Sequence, residues 1–292
     1  MRRKVKNYKF FGNYDYYVPG APDIFILLAL LLLGAVIAQL PSLILLAYPN
    51  FDQSALMLVA YPLMFIPAMV FAGFKSKMRR FDCGGVKLDR CNCSPLGALP
   101  CGVLAAIATL ALAFVCDLCS FILPDTPKWF EEAMSLVTEG NIIINFISVS
   151  IFAPLFEEWL CRGMVLRGLL SHKVKPLWAI VLSALFFAFI HLNPWQALPA
   201  FILGCLMGYV YYKTGSLKLT MLMHFTNNSF SLLLSNIDAF KEMENWSDVM
   251  SAESYWLCMA ICLLLLILIV KQLSKINAPS FEESCEPDVV DA

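Results

Sequence analysis

Charge is scarce in this chain. Asp, Glu, Lys and Arg make up 15% of its 292 residues, against roughly 25% in soluble domains. Apolar residues make up 60%, and the mean hydropathy is +0.71. A water-enclosed core cannot absorb that much apolar surface, so the composition predicts an all-α, polytopic membrane protein. A net charge of −1 leaves no basic excess for a nucleic-acid partner. The eleven cysteines are odd in number and fall mostly within apolar runs, which argues against a disulfide framework. Cys83, Cys91, Cys93 and Cys101 lie on one basic loop, but without CxxC spacing they define no zinc site. There is also no HExxH helix, no internal repeat and no boundary that would separate a second domain.

A bilayer core about 30 Å thick needs around 20 apolar residues per helix. Charges and turn residues mark off eight candidate spans, at 24–48, 55–74, 96–123, 141–170, 176–193, 197–213, 217–236 and 254–271. The first is too long and too far inside the chain to read as a signal peptide. If both termini are cytoplasmic, only Lys128 and Lys241 of the 21 Lys and Arg fall outside, so the positive-inside rule predicts that orientation. Residues 1–23, rich in Arg, Lys and Tyr, read as a cytoplasmic segment suited to lipid headgroups. Residues 24–273 form the membrane domain, and the acidic 274–292 read as a disordered cytoplasmic tail. The external loops 124–140 and 237–253 are acidic and read as solvated or amphipathic connectors. A compact chain of this kind is expected in a bacterial plasma membrane, with membrane lipids as its first partners.

An ionisable residue inside a span costs at least about 2.5–3.5 kcal/mol, so each one calls for a reason. Span 4 contains Glu157, Glu158 and Arg162; span 5 contains His191; span 7 contains His224, Asn227 and Asn228. Asp117, near the external end of span 3, is expected to reach water. The triplet Phe-Glu-Glu occurs three times, but only the copy at 156–158 lies in a span and is followed by an Arg four residues after its second Glu. Glu158 and Arg162 therefore share a helix face and can pair, while Glu157, about 100° around the helix, has no local partner. Such a carboxylate suits a general base. Counted from the cytoplasmic helix ends, Glu157 lies roughly 20 Å deep, His191 roughly 22 Å, Asn228 roughly 16 Å and His224 roughly 10 Å. These residues can enclose one polar site, expected to open to the cytosol. Pro154 should loosen the backbone beside it and free a carbonyl. His172 reads as a solvated helix-end residue.

The ordered motifs Glu157-Glu158-xxx-Arg162, Phe187-xxx-His191 and His224-xxx-Asn228 resemble the CAAX-protease and bacteriocin-processing family of intramembrane glutamate endopeptidases, which includes the eukaryotic Ras-converting enzyme. The resemblance covers about residues 96–240. It implies a cofactor-free hydrolase in which Glu157, assisted by His191, activates water while His224 and Asn228 stabilise the oxyanion. Glu158, Arg162 and Phe187 would support the site. The substrate would be a peptide or a membrane-tethered protein. Three other readings share the pattern: a zinc protease with Glu157, His191 and His224 as ligands, a transporter, and a non-catalytic scaffold or immunity protein.

Overall fold

The computed structural model describes residues 11–51, 53–80, 84–138, 140–240, 243 and 245–282, and among these the regular structure is helical throughout. Helix α1 starts at Ala21–Ile37 and continues through short segments to Ala47. It is followed by α2 (Gln53–Arg79), α3 (Ala98–Val115, with a 3-10 turn to Cys119) and a short amphipathic helix α4 (Lys128–Thr138). Next come the long α5 (Ile142–Ser171), α6 (Pro176–Phe189), α7 (Pro194–Thr214), α8 (Leu217–Ser235) and α9 (Ala252–Leu273). Each of the eight expected spans corresponds to one helix. Five, α1, α2, α3, α5 and α9, are long and apolar enough to cross a membrane, so the chain is an integral membrane protein. At about 1.5 Å per residue the 14 residues of α6 rise only about 21 Å, short of a bilayer core.

Lipid tails are as apolar as leucine, so helices in a membrane associate through close packing. Helices α6 and α7 form such a hairpin. A Cβ at Gly204 would lie 3.1 Å from Ala184 Cβ, and one at Gly208 would lie 3.1 Å from Ile180. The small residues at this spacing let the two backbones approach. Val36, Val70, Phe74 and Ile267 point outward as lipid-facing surface.

Contacts between loops define the two ends of the bundle. At one end, Arg90 N and Asn92 N donate to Gly215 O and Thr214 O (2.8 Å each), Lys218 pairs with Asp89 (3.2 Å), and Lys213 reaches Ser274 O (2.9 Å). At the other, Trp195 Nε1 donates to Pro124 O (2.8 Å) and Trp246 N donates to Asp117 Oδ1 (3.1 Å). Arg79, Arg90, Lys175, Lys213, Lys218 and Lys271 lie at the first, basic end. Lys128 is the only described Lys or Arg at the opposite end.

Several boundaries differ from expectation. Tyr17 and Val18 are buried in the core rather than spread on an interface, because Arg167 in α5 reaches across to bond the carbonyls of Tyr14, Tyr17 and Val86. Residues 274–282 are packed rather than disordered: Phe281 stacks on Tyr212, and Asn92 Nδ2 donates to Asn277 O at 2.8 Å. Residues 1–10, Cys83 and 283–292, which carry the remainder of those expectations, lie outside the described residues. Asp117 is half-buried and also serves as a tie between helices. Its two oxygens accept from Trp246 N and, at 2.9 Å, from Tyr255 OH, tying α3 to α9.

Candidate active site

Glu158 and Arg162 form the floor of the site. Both are fully buried, and Arg162 Nη1 meets Glu158 Oε1 at 2.6 Å. The guanidinium also donates through Nη2 to Gly204 O (3.0 Å) and lies 4.6 Å from the Phe187 ring centroid. The glycine that permits the α6–α7 approach therefore also exposes the carbonyl that Arg162 needs. Glu158 Oε1 takes a second contact from His224 Nδ1 at 3.0 Å.

Glu157 projects elsewhere. Its Oε2 lies 3.9 Å from His224 Nε2 and has no hydrogen-bond partner, while its Oε1 accepts a hydrogen bond from Tyr61 OH of α2. The expectation of no local partner holds within α5, yet the carboxylate has a partner from another helix. Tyr61 is missed by a search for ionisable residues in spans, because a tyrosine hydroxyl carries no such cost; its only sequence signal is a polar atom in an apolar run.

His191 lies beyond α6, in the turn 190–193, and not within a span. Helix α6 ends at Phe189 because Asn193 caps α7, accepting from Gln196 N at 2.8 Å, and Pro194 starts the new helix. His191 N turns to Ala188 O (3.2 Å), and its imidazole Nδ1 bonds Phe187 O instead (2.8 Å). Since a carbonyl only accepts, Nδ1 carries the proton and Nε2 of the neutral ring is an acceptor. The Phe187 ring stands between the histidines, 5.0 Å from His191 and 5.5 Å from His224, edge-on to both.

Asn228 is held by a defect in α5. Residues Phe146–Phe152 are π-helical, and Ala153 N bonds Ser148 O, five residues back. In that register the donor for Val149 O would be residue 154, which is Pro154 and has no N–H. Asn228 Nδ2 supplies the bond instead, at 2.9 Å. Asn227 Nδ2 donates to Asn228 Oδ1 at 3.1 Å, fixing the amide and leaving its second N–H for another acceptor. The carbonyl expected to be freed by Pro154 is thus that of Val149, which lies in the cavity wall.

A cavity of about 560 Å³ brings together Glu157, His191, His224 and Asn228. The site does not open toward the basic end of the bundle. Most of its lining comes from the helix halves remote from that end, with Tyr61 of α2, Val149 of α5, Gln196 of α7, Ser231 of α8 and Asp117 beyond α3, while His224 of α8 and Met207 of α7 reach just past mid-helix. Below Glu158, fully buried Trp159, Leu160, Met164, Leu166 and Tyr211 fill the basic half. Helix α4 packs near the opposite face, where Trp129 and Phe130 contact Trp195 at 5.8 and 5.3 Å between ring centroids and Gln196 meets Met134 Sδ at 3.4 Å. Among the described residues, no three His, Cys, Asp or Glu side chains are grouped to hold a metal ion. His172 bonds Gly168 O at the basic end, away from the cavity.

One carboxylate, two histidines and an amide face a single cavity inside a helical bundle, with Glu158 buried behind them, which defines the class of an integral membrane protein with a polar centre. Residues 139–230 match the family model described as type II CAAX prenyl endopeptidase Rce1-like, and this segment, under half of the chain, contains all three motifs. No curated protein and no solved structure matches the chain.

Proposed function

We propose that the protein is an intramembrane endopeptidase that hydrolyses a peptide bond with Glu157 as general base. The observation that carries this reading is the Glu157 carboxylate in the cavity wall, with one oxygen held by Tyr61 and the other without a hydrogen-bond partner. Glu157 takes a proton from water while His191 Nε2 accepts the water's second hydrogen and orients it. The resulting hydroxide attacks the carbonyl carbon. The oxyanion accepts from the second N–H of Asn228 and from His224 Nε2, and the proton passes to the leaving amine as the C–N bond breaks. His224 already gives its Nδ1 proton to Glu158, so donation from Nε2 requires the imidazolium. With both glutamates ionised, Arg162 balances one and that imidazolium balances the other, which keeps the buried cluster neutral. Glu158, Arg162 and Phe187 position the reacting groups. We place the protein in a bacterial plasma membrane with both termini cytoplasmic.

The test uses purified protein and a membrane-tethered peptide, supplied with and without a lipid chain. Cleavage should persist in excess EDTA and under an unrelated chelator, with zinc content well below one per chain. Loss under several chelators, restored by zinc at near one-to-one content, would overturn the mechanism and recast Glu157, His191 and His224 as ligands. Absence of any cleavage dependent on Glu157 would favour a non-catalytic scaffold.

A further inference from the structure

The cavity faces one end of the bundle and the positive charge occupies the other. Resting on the endopeptidase reading above, we infer that the peptide bond is presented from the extracytoplasmic side, so that the substrate class is the membrane-proximal segment of an exported or membrane-anchored protein. Two independent observations lead there. The cavity is lined mainly from the helix halves remote from Arg79, Arg90, Lys175, Lys213, Lys218 and Lys271, while large side chains plug the half beneath it. Basic residues flanking spans are retained in the cytoplasm, and Lys128 is the only described Lys or Arg at the cavity end. Reversing the orientation to give the cavity cytosolic access would export every other described Lys and Arg outside the bundle core. The face around the cavity also has the features of a membrane interface. Trp129, Phe130 and Trp195 cluster there, and such rings favour the headgroup level. A substrate anchored in the same membrane arrives at that level already concentrated near the site.

Vesicles of known orientation test the access route. Cys91 is exposed at the basic end, whereas neighbouring Cys93 is buried and its thiol is pushed up to about 12 by that burial and by Cys101 and Cys91, so Cys91 is the native residue to follow. Ser231 is exposed and lines the cavity, so Ser231→Cys reports its entrance. With a small impermeant thiol reagent and peptide-resolved mass spectrometry, right-side-out vesicles should label Ser231→Cys at least tenfold faster than Cys91, and inside-out vesicles should reverse that order. Labelling of Ser231→Cys from the cytoplasmic side overturns the inference, whatever the enzyme's activity. In parallel, new protein termini are compared between cells carrying wild type and Glu157→Gln. Termini lost in the variant should map to exported segments near the membrane. If they map to cytoplasmic segments, the inference fails while the endopeptidase reading stands. If none is lost while labelling is external, the endopeptidase reading fails and the substrate assignment fails with it.

Discussion

The adjacent glutamates differ in what surrounds them, and their variants should separate accordingly. Glu157→Gln keeps the shape and an acceptor for Tyr61 but removes the base; cleavage should fall by at least about 10²-fold with protein abundance unchanged in membranes. Glu158→Gln leaves Arg162 buried without its carboxylate and removes the partner of His224. Breaking such a pair costs about 3–5 kcal/mol, visible as lower abundance and a lower melting temperature in detergent. A stable, inactive Glu158→Gln beside an active Glu157→Gln would reverse the two roles. Tyr61→Phe removes only the hydroxyl that restrains Glu157, and should lower kcat several-fold while KM and melting temperature hold. The i, i+4 spacing makes the Glu158–Arg162 pair legible in the amino-acid order alone, because that geometry is local. The Tyr61 contact joins residues 96 positions apart, and no local spacing rule reaches that far.

Helix α5 shows how an irregular element becomes useful. Its π-helical stretches flank the Glu157–Glu158 turn, and the proline between them converts a helix carbonyl into an anchor for Asn228. Pro154→Ala restores an N–H in the π register and lets Val149 O find a partner within its own helix. Asn228 would then lose its anchor without being mutated. Turnover should drop, by less than the about 10²–10³-fold expected for Asn228→Ala, and KM should change little in either variant. Restored helix bonding should raise the melting temperature of Pro154→Ala, so that activity and stability move in opposite directions. The sequence marks the proline as a disturbance and suggests a freed carbonyl. It does not say which carbonyl, because that depends on a π register decided by packing against α8. The end of α6 is hidden in the sequence for a related reason: apolar residues continue through Ile190 and Leu192, and only the capping by Asn193 stops the helix.

At the scale of the whole molecule, the two ends are built differently. The basic end is sealed by Arg167, whose guanidinium bonds carbonyls from the N-terminal segment and from the 84–97 loop. Arg167→Lys keeps the charge but loses the planar fork, so it should expose Val86 and Leu88 to limited proteolysis and lower the yield of folded protein. The all-helical membrane fold and the segregation of charge are legible in composition and charge placement, since both follow from the cost of burying polar and charged groups in lipid. The side on which the site opens is not: depth along each helix places the polar residues in one layer, but which half is plugged depends on side chains brought together from the whole chain. The placement of Glu157 in the wall of a cavity between helices carries a further consequence for the substrate. A membrane-anchored chain that arrives as a continuous helix must unwind before its carbonyl can be attacked, because that carbonyl is engaged in the helix's own ladder. Selection would then act on the free energy of local melting as much as on side-chain identity. Two substrates with the same residues around the scissile bond should be cut at different rates when a glycine a few positions away loosens one of them.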